Sequence, residues 1–207
     1  CAFSKRSSAR CGAGPTGLIP SSPAMCPIAA ISSLDLSRNK WFAANYPHTT
    51  LCRTGEIHDI DKDQTGWTAF CEALEGNKTV QTLVLSDIGI GPVGLTTFSK
   101  TISDMAGNSG VRPDCNLLTG AKYKYGEKKY GVEEYDCDPS GLVALLEAMK
   151  SSAVTKLDIS DCDIGPKGLM TSATLIFAIA GLNDITIDST GNLKGQKKYT
   201  ITGLQGG

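Results

Sequence analysis

The sequence predicts an α/β solenoid of about five strand–helix turns, because the same patterns of residues recur along the chain. Residues 154–169 read VTKLDISDCDIGPKGL and residues 80–95 read VQTLVLSDIGIGPVGL, with the same S-D-x-x-I-G-P-x-G-L ending. A second motif, G-x-K-K-Y, occurs at residues 126–130 and 195–199. The two copies of the first motif lie 74 residues apart and those of the second lie 69 apart. These spacings indicate a double repeat of about seventy residues, in which each half is one strand–helix turn.

Each copy of the longer motif predicts a strand followed by a helix. In the later copy, the alternation of a strand places Leu157 and Ile159 on one face and Asp158 on the other. Gly165 and Pro166 then open a helix, since proline fits the first helical turn, where its missing N–H would have no partner. The apolar strand residues are therefore expected in the core and the polar ones in solvent.

Further copies of the strand pattern are weaker. Residues 31–41 (ISSLDLSRNKW) and 182–190 (LNDITIDST) fit it, and a poor copy lies near Cys115 and Leu117. The full pattern, L-x-x-L-x-L-x-x-N/C-x-L, resembles that of leucine-rich-repeat proteins. The spacing of 28 residues between the last two strands is similar to the long repeats of the ribonuclease-inhibitor-like subfamily.

The resemblance, which covers residues 31–207, implies a right-handed curved solenoid with a parallel sheet inside and helices outside. It also implies binding of other proteins, and it carries no catalytic residues. The chain departs from the family in its small number of turns and in β-hairpins inserted in alternate turns, at residues 119–132 and 190–201. A further hairpin is expected within residues 41–60.

The inserted hairpins are rich in lysine and tyrosine. Their members are Lys122, Tyr123, Lys124, Tyr125, Lys128, Lys129, Tyr130, Lys194, Lys197, Lys198 and Tyr199. Interleaved tyrosines are able to stack on nucleic-acid bases. A hairpin with one buried face has the same alternation, with tyrosine packed inward and lysine outward. Nucleic-acid binding is therefore kept only as an alternative function.

Composition argues against several classes of protein. The chain of 207 residues has a formal net charge of −1, which gives no general argument for a nucleic-acid partner. No uncharged apolar run reaches the roughly 18 residues that a transmembrane helix needs. The eight cysteines contain no C-x-x-C pair, so we expect most of them to be buried thiols in a reducing compartment. The two histidines, His48 and His58, occupy no repeat position that aims at a cysteine, and we expect no enzymatic activity and no cofactor.

Residues 1–30 form a basic arm rich in serine and proline, without acidic residues, ahead of a repeat domain at 31–207. Two interpretations stay open for the arm: the tail of an organellar transit peptide, or a disordered segment. The first places the protein inside a plastid or mitochondrion after removal of the transit peptide.

GAGPTG at residues 12–17 matches G-x-G-x-x-G, but no apolar strand precedes it and prolines interrupt the segment after it. We therefore expect no dinucleotide site.

Residues 61–72 (DKDQTGWTAFCE) match the coarse spacing of a calcium-binding EF-hand loop. The candidate ligands would be Asp61, Asp63, Thr65 and Glu72. The helix that should enter such a loop is missing, because the preceding GEIHDI is short and mixed. A calcium-dependent binder is therefore a weak alternative.

An internal alignment offers another interpretation of the same loop. Residues 66–75 (GWTAFCEALE) align with residues 141–150 (GLVALLEAMK), which pairs Asp63 with Asp138. Both aspartates would then be caps at helix N-termini, where a carboxylate accepts backbone N–H groups and favours the positive end of the helix dipole. We expect capping, with no metal bound.

The solvent-facing strand residues should form a small, polar and acidic concave face. These residues are Asp35, Ser37, Thr82, Ser86, Asn116, Lys156, Asp158, Ser160, Asp184, Thr186 and Asp188. Asp158 and Asp188 are its candidate partner-binding residues. A solvated sheet face without a ligand has the same composition, so both interpretations stay open.

The helix after Pro166 is the main candidate docking surface. Residues 168–183 (GLMTSATLIFAIAGLN) carry no charge, and Met170, Leu175, Phe177 and Ile179 are expected on the outer side. A helix that is apolar all round is a buried helix, and one solenoid buries only its inner side. A neighbouring hairpin folded over the helix is the alternative cover. The sequence thus predicts a non-catalytic protein-binding or structural subunit, with other protein subunits as partners in a larger assembly, of which a membrane-bound complex is one example.

Overall fold

The computed structural model describes residues 7–8, 31–39, 42, 60–105, 107–126, 130–188 and 198–204. The strands in chain order are β1 (Ser7–Ser8), β2 (Ser33–Asp35), β3 (Thr82–Val84), β4 (Gly110–Arg112), β5 (Lys122–Tyr123), β6 (Val132–Glu134), β7 (Lys156–Asp158), β8 (Asp184–Asp188) and β9 (Lys198–Ile201). Within these residues, seven strands form one sheet in the order β1-β2-β3-β4-β7-β8-β9, while β5 and β6 form a second sheet. Strands β1 to β8 of the large sheet run parallel.

One buried residue from each of five strands stands side by side across the large sheet. The register aligns Leu34, Leu83, Val111, Leu157 and Ile185. All five are buried, whereas their strand neighbours on the other face are mostly half-buried or exposed. The alternation predicted from the repeat motif is therefore confirmed at these positions.

Helices connect consecutive parallel strands, as parallel pairing requires. They are α1 (Thr65–Leu74), α2 (Pro92–Ile102), α3 (Ser140–Met149) and α4 (Pro166–Ile176). Each helix packs against the next, so that α1, α2, α3 and α4 form one layer beside the sheet. Among the described residues the structure thus shows a mixed α/β fold with a parallel sheet and four helices, and the figure of five turns stays a prediction.

The space between the two layers is filled by one apolar core centred on Trp67. The indole ring is fully buried, with its centroid 5.6 Å from that of Phe70 and 5.9 Å from that of Phe98. A buried indole N–H needs an acceptor. Its Nε1 donates to the carbonyl oxygen of Gly94 at 2.8 Å, which ties α1 to α2.

The poor repeat copy lies a few residues before the place that the sequence indicated. Its strand is β4, and Val111 takes the core position that Leu83 and Leu157 hold in the clear copies. Asn108 and Pro113 stand where those copies have aliphatic residues, which hid the pattern.

Asn116 is not a solvent-facing strand residue, and that prediction is wrong. Its side chain is buried in the turn after β4, where Nδ2 donates to the carbonyl oxygen of Leu85 at 2.8 Å. Its Oδ1 accepts the backbone N–H groups of Ile88, Gly89 and Ile90 at 3.0–3.2 Å. The amide has both donors and an acceptor, so one side chain satisfies the buried backbone of the neighbouring turn.

In the turn after each of four parallel strands, the residue at one equivalent position has a left-handed backbone conformation. Arg38, Asp87, Cys115 and Asp161 have φ angles of 60°, 56°, 57° and 55°. Residues other than glycine adopt this region rarely. The repeat therefore extends to the backbone of the turns as well as to the strands.

The first inserted hairpin is present, because β5 and β6 pair antiparallel, but it extends to Glu134, two residues past the segment expected to form it. The second is corrected, since β9 pairs antiparallel with the sheet strand β8 and so extends the large sheet. Among the described residues no further parallel strand follows β8, and its open edge accepts β9. The hairpin expected within residues 41–60 lies outside the described residues, apart from Phe42 and Ile60.

Of the N-terminal arm, the structure describes Ser7 and Ser8, which form β1 and pair with Leu34 and Asp35. The remainder of the arm, including the GAGPTG motif, lies outside the described residues. No helix that the structure describes has the length and apolar character needed to cross a membrane.

The register makes a direct prediction for two adjacent residues of β7. Replacing Leu157 by alanine removes buried methyl groups and should destabilise the protein by about 2–5 kcal/mol. The same replacement at Asp158, on the opposite face, should have a much smaller effect. Urea unfolding midpoints of the two variants measure this difference, and equal shifts would show that the register is incorrect.

Candidate functional site

Helix α4 is shorter than the uncharged segment from which it was predicted. The expected helix spanned residues 168–183, whereas α4 ends at Ile176. After it, the N–H of Ala178 bonds to the oxygen of Leu175, and the N–H of Ile179 to that of Ile176. These tighter bonds close the last turn of the helix and lead the chain inward.

The outer side of α4 exposes two large apolar side chains. Met170 is 70% exposed and Phe177 is 69% exposed. Leu175 is partly buried and packs against the core. Ile179 is 2% exposed, so its expected outward position is wrong, because it follows the end of the helix and turns into the core. We call the exposed residues Met170, Ala173, Thr174 and Phe177 the α4 face.

Helix α4 lies at the end of the helix layer. It packs against α3 on one side, and among the described residues no other helix packs against it. The inward residues Gly168 and Ser172 are buried, with the hydroxyl of Ser172 donating to the oxygen of Gly168 at 2.7 Å. The α4 face is therefore the exposed flank of a helix that buries Gly168 and Ser172 and packs Leu169, Leu175 and Ile176 partly against the core.

The concave strand face carries fewer free carboxylates than its sequence suggests, because its charges are bonded to one another. Arg112 lies 3.7 Å from Asp114 and 3.5 Å from Asp158. Lys156 forms an ion pair with Asp184 at 3.0 Å. Exposed ion pairs of this kind contribute little stability, but they cancel charge locally.

The two candidate residues of this face also bond to the turns at the strand ends. Asp158 accepts the hydroxyl of Ser160 at 2.6 Å, and Asp188 accepts the backbone N–H of Asp161. Asp158 and Asp188 therefore have local structural partners. Their role in binding a partner stays a prediction.

Two aspartates bond to the start of a helix in the next turn of the repeat, which the sequence does not indicate. Asp61 accepts the N–H of Gly91 at 2.9 Å and of Val93 at 2.8 Å, at the start of α2. Asp136 accepts the N–H of Gly165 and of Gly168, both at 2.9 Å, at the start of α4. Both aspartates have positive φ angles, 59° and 53°.

The glycines of the I-G-P-x-G motif make room for these carboxylates. A Cβ at Gly91 would lie 2.5 Å from a carboxylate oxygen of Asp61, and one at Gly165 would lie 2.5 Å from a carboxylate oxygen of Asp136. Such distances are far shorter than any normal contact. The sequence contains a sign of these aspartates, since D-x-D occurs before both α1 and α3. To assign the first aspartate of each pair, however, one must know which helix its loop contacts.

The other aspartate of each D-x-D pair accepts a backbone N–H as a cap would, but it lies one residue before the N-cap positions, which are Gln64 and Pro139. Asp63 accepts the N–H of Thr65 at 2.9 Å, and Asp138 accepts that of Ser140 at 3.0 Å. The bond to Thr65 lowers the pKa of Asp63, whereas burial raises the pKa of Asp61.

The four candidate calcium ligands of residues 61–72 therefore do not converge on one point. Asp61 points to α2 and Asp63 to the start of α1, while Thr65 and Glu72 are exposed in α1. Among the described residues, no group of three or more His, Cys, Asp or Glu side chains is placed to hold a metal ion.

The hairpin tyrosines divide into one inward and two outward side chains. Tyr123 is buried and its hydroxyl bonds to the carboxylate of Asp163, which anchors the hairpin to the turn before α4. Burial and the neighbouring carboxylate raise the pKa of Tyr123 far above its usual value. Tyr125 is 85% exposed and meets Tyr130 edge to face, with ring centroids 5.4 Å apart. The inward prediction holds for Tyr123 and fails for the other two.

A groove of about 460 Å³ runs between the 60–61 segment, the start of α2 and the β5–β6 hairpin. We call it the hairpin groove. Apolar atoms of Val93, Leu117 and Ala121 contribute to its floor, and carboxylates of Glu133 and Asp138 stand on its lining. No sequence motif indicates this groove, because three separate segments form it.

Four of the eight cysteines are described. Cys71 and Cys162 are buried thiols, as expected, and Cys137 is a partly exposed thiol. Burial raises the pKa of Cys71 to about 12 and that of Cys162 well above its usual value. Cys115 is disulfide-bonded, so the expectation of a free thiol is wrong at this position.

Asp136, which bonds to a helix of the next turn, and Asp138, which bonds to the helix directly after it, should contribute different amounts to the free energy of unfolding. Asp136→Ala leaves buried N–H groups of α4 without an acceptor and should destabilise the protein by about 1–3 kcal/mol. Asp138→Ala removes an exposed bond at α3 and should cost less, about 0.5–1 kcal/mol. Urea unfolding of the two variants tests this, and an equal loss for both would contradict the role given to Asp136.

Comparisons with known proteins agree with the repeat pattern. A family model described as a leucine-rich repeat matches residues 150–171. Among solved structures, the chain is similar to one titled "Leiomodin-1 Actin-Binding Site 2 (ABS2)", with 15% sequence identity and a TM-score of 0.52. That likeness covers 77% of this chain and 71% of the other, and at such low identity it concerns the fold alone. No curated protein matches the chain in sequence. A leucine-rich-repeat model thus matches residues 150–171, and the mixed α/β fold with its parallel sheet is compatible with such repeats, while a place in the ribonuclease-inhibitor-like subfamily stays a prediction.

Proposed function

We propose that this protein is a non-catalytic, protein-binding subunit of a larger assembly and that it docks to its partner through the α4 face. The concave strand face is a second surface available for the same role. The leucine-rich repeat supports a protein-binding role, and the leiomodin-1 structure is itself titled as an actin-binding site.

The exposure of Met170 and Phe177 is the observation that carries the proposal. Both side chains are more than two-thirds exposed, and residues 168–183 carry no charge. Lys167, in the first turn, is the one charged residue of α4. Fully burying one such side chain contributes about 1.5–3 kcal/mol to association or folding. Large apolar residues at the centre of an interface commonly dominate its binding energy.

The cysteine chemistry supports a non-catalytic role. A nucleophilic cysteine needs a lowered pKa to form the thiolate. Burial instead raises the pKa of Cys71, Cys137 and Cys162, the described free thiols.

The test replaces the two exposed side chains by carboxylates. The double variant Met170→Glu with Phe177→Glu should remain folded, because both residues are outside the core, and should lose its partner. Co-purification from native material, with mass spectrometry of the bound proteins, measures the loss. Ile179 is unsuitable for this purpose because it is buried.

The matched control places the same charges on another helix. Thr97→Glu on α2, with Ser103→Glu at the C-cap of that helix, changes two partly exposed polar residues away from α4. This control should retain every partner that the wild type binds. Equal retention by both double variants, or unfolding of the α4 variant in circular dichroism, would refute docking through the α4 face.

A second candidate function is binding of single-stranded nucleic acid by the hairpin. The exposed pair of Tyr125 and Tyr130, beside the exposed Lys124, is the observation that favours it. Stacking of one base on an aromatic ring contributes about 1–3 kcal/mol. The ion pair of Lys122 with Glu134 at 3.0 Å reduces the positive charge available for phosphates.

Fluorescence polarisation with a labelled oligothymidine separates this candidate from the first. If the hairpin binds nucleic acid, Tyr125→Ala should weaken binding by about fivefold or more. Tyr199→Ala, on β9, serves as the control with an exposed tyrosine elsewhere. The absence of binding by the wild type at low salt would exclude this function.

A further inference from the structure

We propose that the hairpin groove binds a peptide segment of another protein in which an apolar side chain lies between lysine or arginine residues. The groove is separate from the α4 face, so the inference stands independently of the function proposed above. It rests on the shape, the apolar floor and the charge of the lining.

The floor of the groove is apolar, and Val93 is its exposed member, whereas Leu117 and Ala121 are buried. Val93, in the first turn of α2, is 55% exposed. Leu117 and Ala121 belong to a small apolar cluster with Tyr123 that is separate from the main core. At about 460 Å³ the groove falls in the size range of ligand-binding clefts, which is enough for one or two side chains of a peptide.

The lining is predominantly acidic. Asp61, Glu133 and Asp138 contribute carboxylates. Among the described lining residues Lys122 is the one with a positive charge, and its ammonium donates to Glu134 at 3.0 Å. This bond lowers the pKa of Glu134, as expected for a formed ion pair. The remaining charge of the described lining residues is negative and complements lysine or arginine.

Two of these carboxylates are fixed in position before any ligand arrives. Asp61 bonds to Gly91 and Val93 at the start of α2, and Asp138 bonds to Ser140 at the start of α3. Fixed acceptors lose little conformational freedom on binding. Glu133, which is exposed on β6, is the adjustable member of the set.

A basic and apolar segment fits this combination better than other occupants. A free cation would leave the apolar floor in contact with water. An acidic segment would face like charges across the rim, which is unfavourable. The α4 face of a second copy offers one cation beside it, Lys167, and so lacks the second positive charge that the carboxylates would accept.

The test uses the full chain and three labelled peptides in fluorescence polarisation. The first peptide has one leucine between two lysines, the second has glutamates in place of the lysines, and the third has alanine in place of the leucine. The first should bind at least about tenfold more tightly than either of the others. Its affinity should fall on raising salt to about 0.5 M, because the rim charges are exposed.

Two variants with matched controls locate the binding. Val93→Lys fills the floor with a positive charge and should weaken binding of the first peptide by about tenfold, and Glu133→Lys by about fivefold. Thr97→Lys, one turn further along α2, and Glu72→Lys, exposed on α1, make the same charge changes outside the groove. Both controls should bind within about twofold of the wild type.

Three outcomes would overturn the proposal. One is equal affinity for the lysine and glutamate peptides. Another is an equal loss for Val93→Lys and Thr97→Lys, which would indicate general electrostatic attraction without use of the groove. The third is a change in oligomeric state of Val93→Lys in sedimentation velocity, which would assign the groove to a second copy of the chain.

Discussion

A carboxylate bound to the first N–H groups of a helix is the interaction on which the arrangement of this fold depends. Asp61 and Asp136 each reach from a loop before one helix to the start of the next helix, so two successive turns are joined. This explains why the double repeat is the unit that recurs in the sequence. It also explains why two glycines accompany the start of each of α2 and α4, because a Cβ there would occupy the space of the carboxylate.

The strands and the hairpin whose residues follow a pattern along the chain were predictable from the sequence. Alternation placed Leu83 and Leu157 in the core, and the lysine and tyrosine pattern identified the β5–β6 hairpin. Features that depend on a distant partner were missed. The role of Asn116 requires the turn that follows β3, and the burial of Ile179 requires the end of α4, which no residue type marks.

Charge separates the surfaces of the molecule into three kinds. The α4 face is uncharged, the sheet face holds paired charges around Arg112, and the hairpin groove has unbalanced carboxylates. Each kind suits different partners, since uncharged surfaces associate through apolar contact and charged ones discriminate by sign. The insertions create the groove, so the departures of this chain from a plain repeat are also the source of its distinctive chemistry.

The left-handed turn residues have a consequence for how such a chain changes over evolutionary time. The same backbone shape at Arg38, Asp87, Cys115 and Asp161 is held by different side chains, so the shape does not specify the residue type. The strands give the framework, whereas these corners accept arginine, aspartate and cysteine alike. Because the four corners follow neighbouring parallel strands, they lie along one edge of the sheet, where new chemistry can be acquired one residue at a time without rebuilding the core.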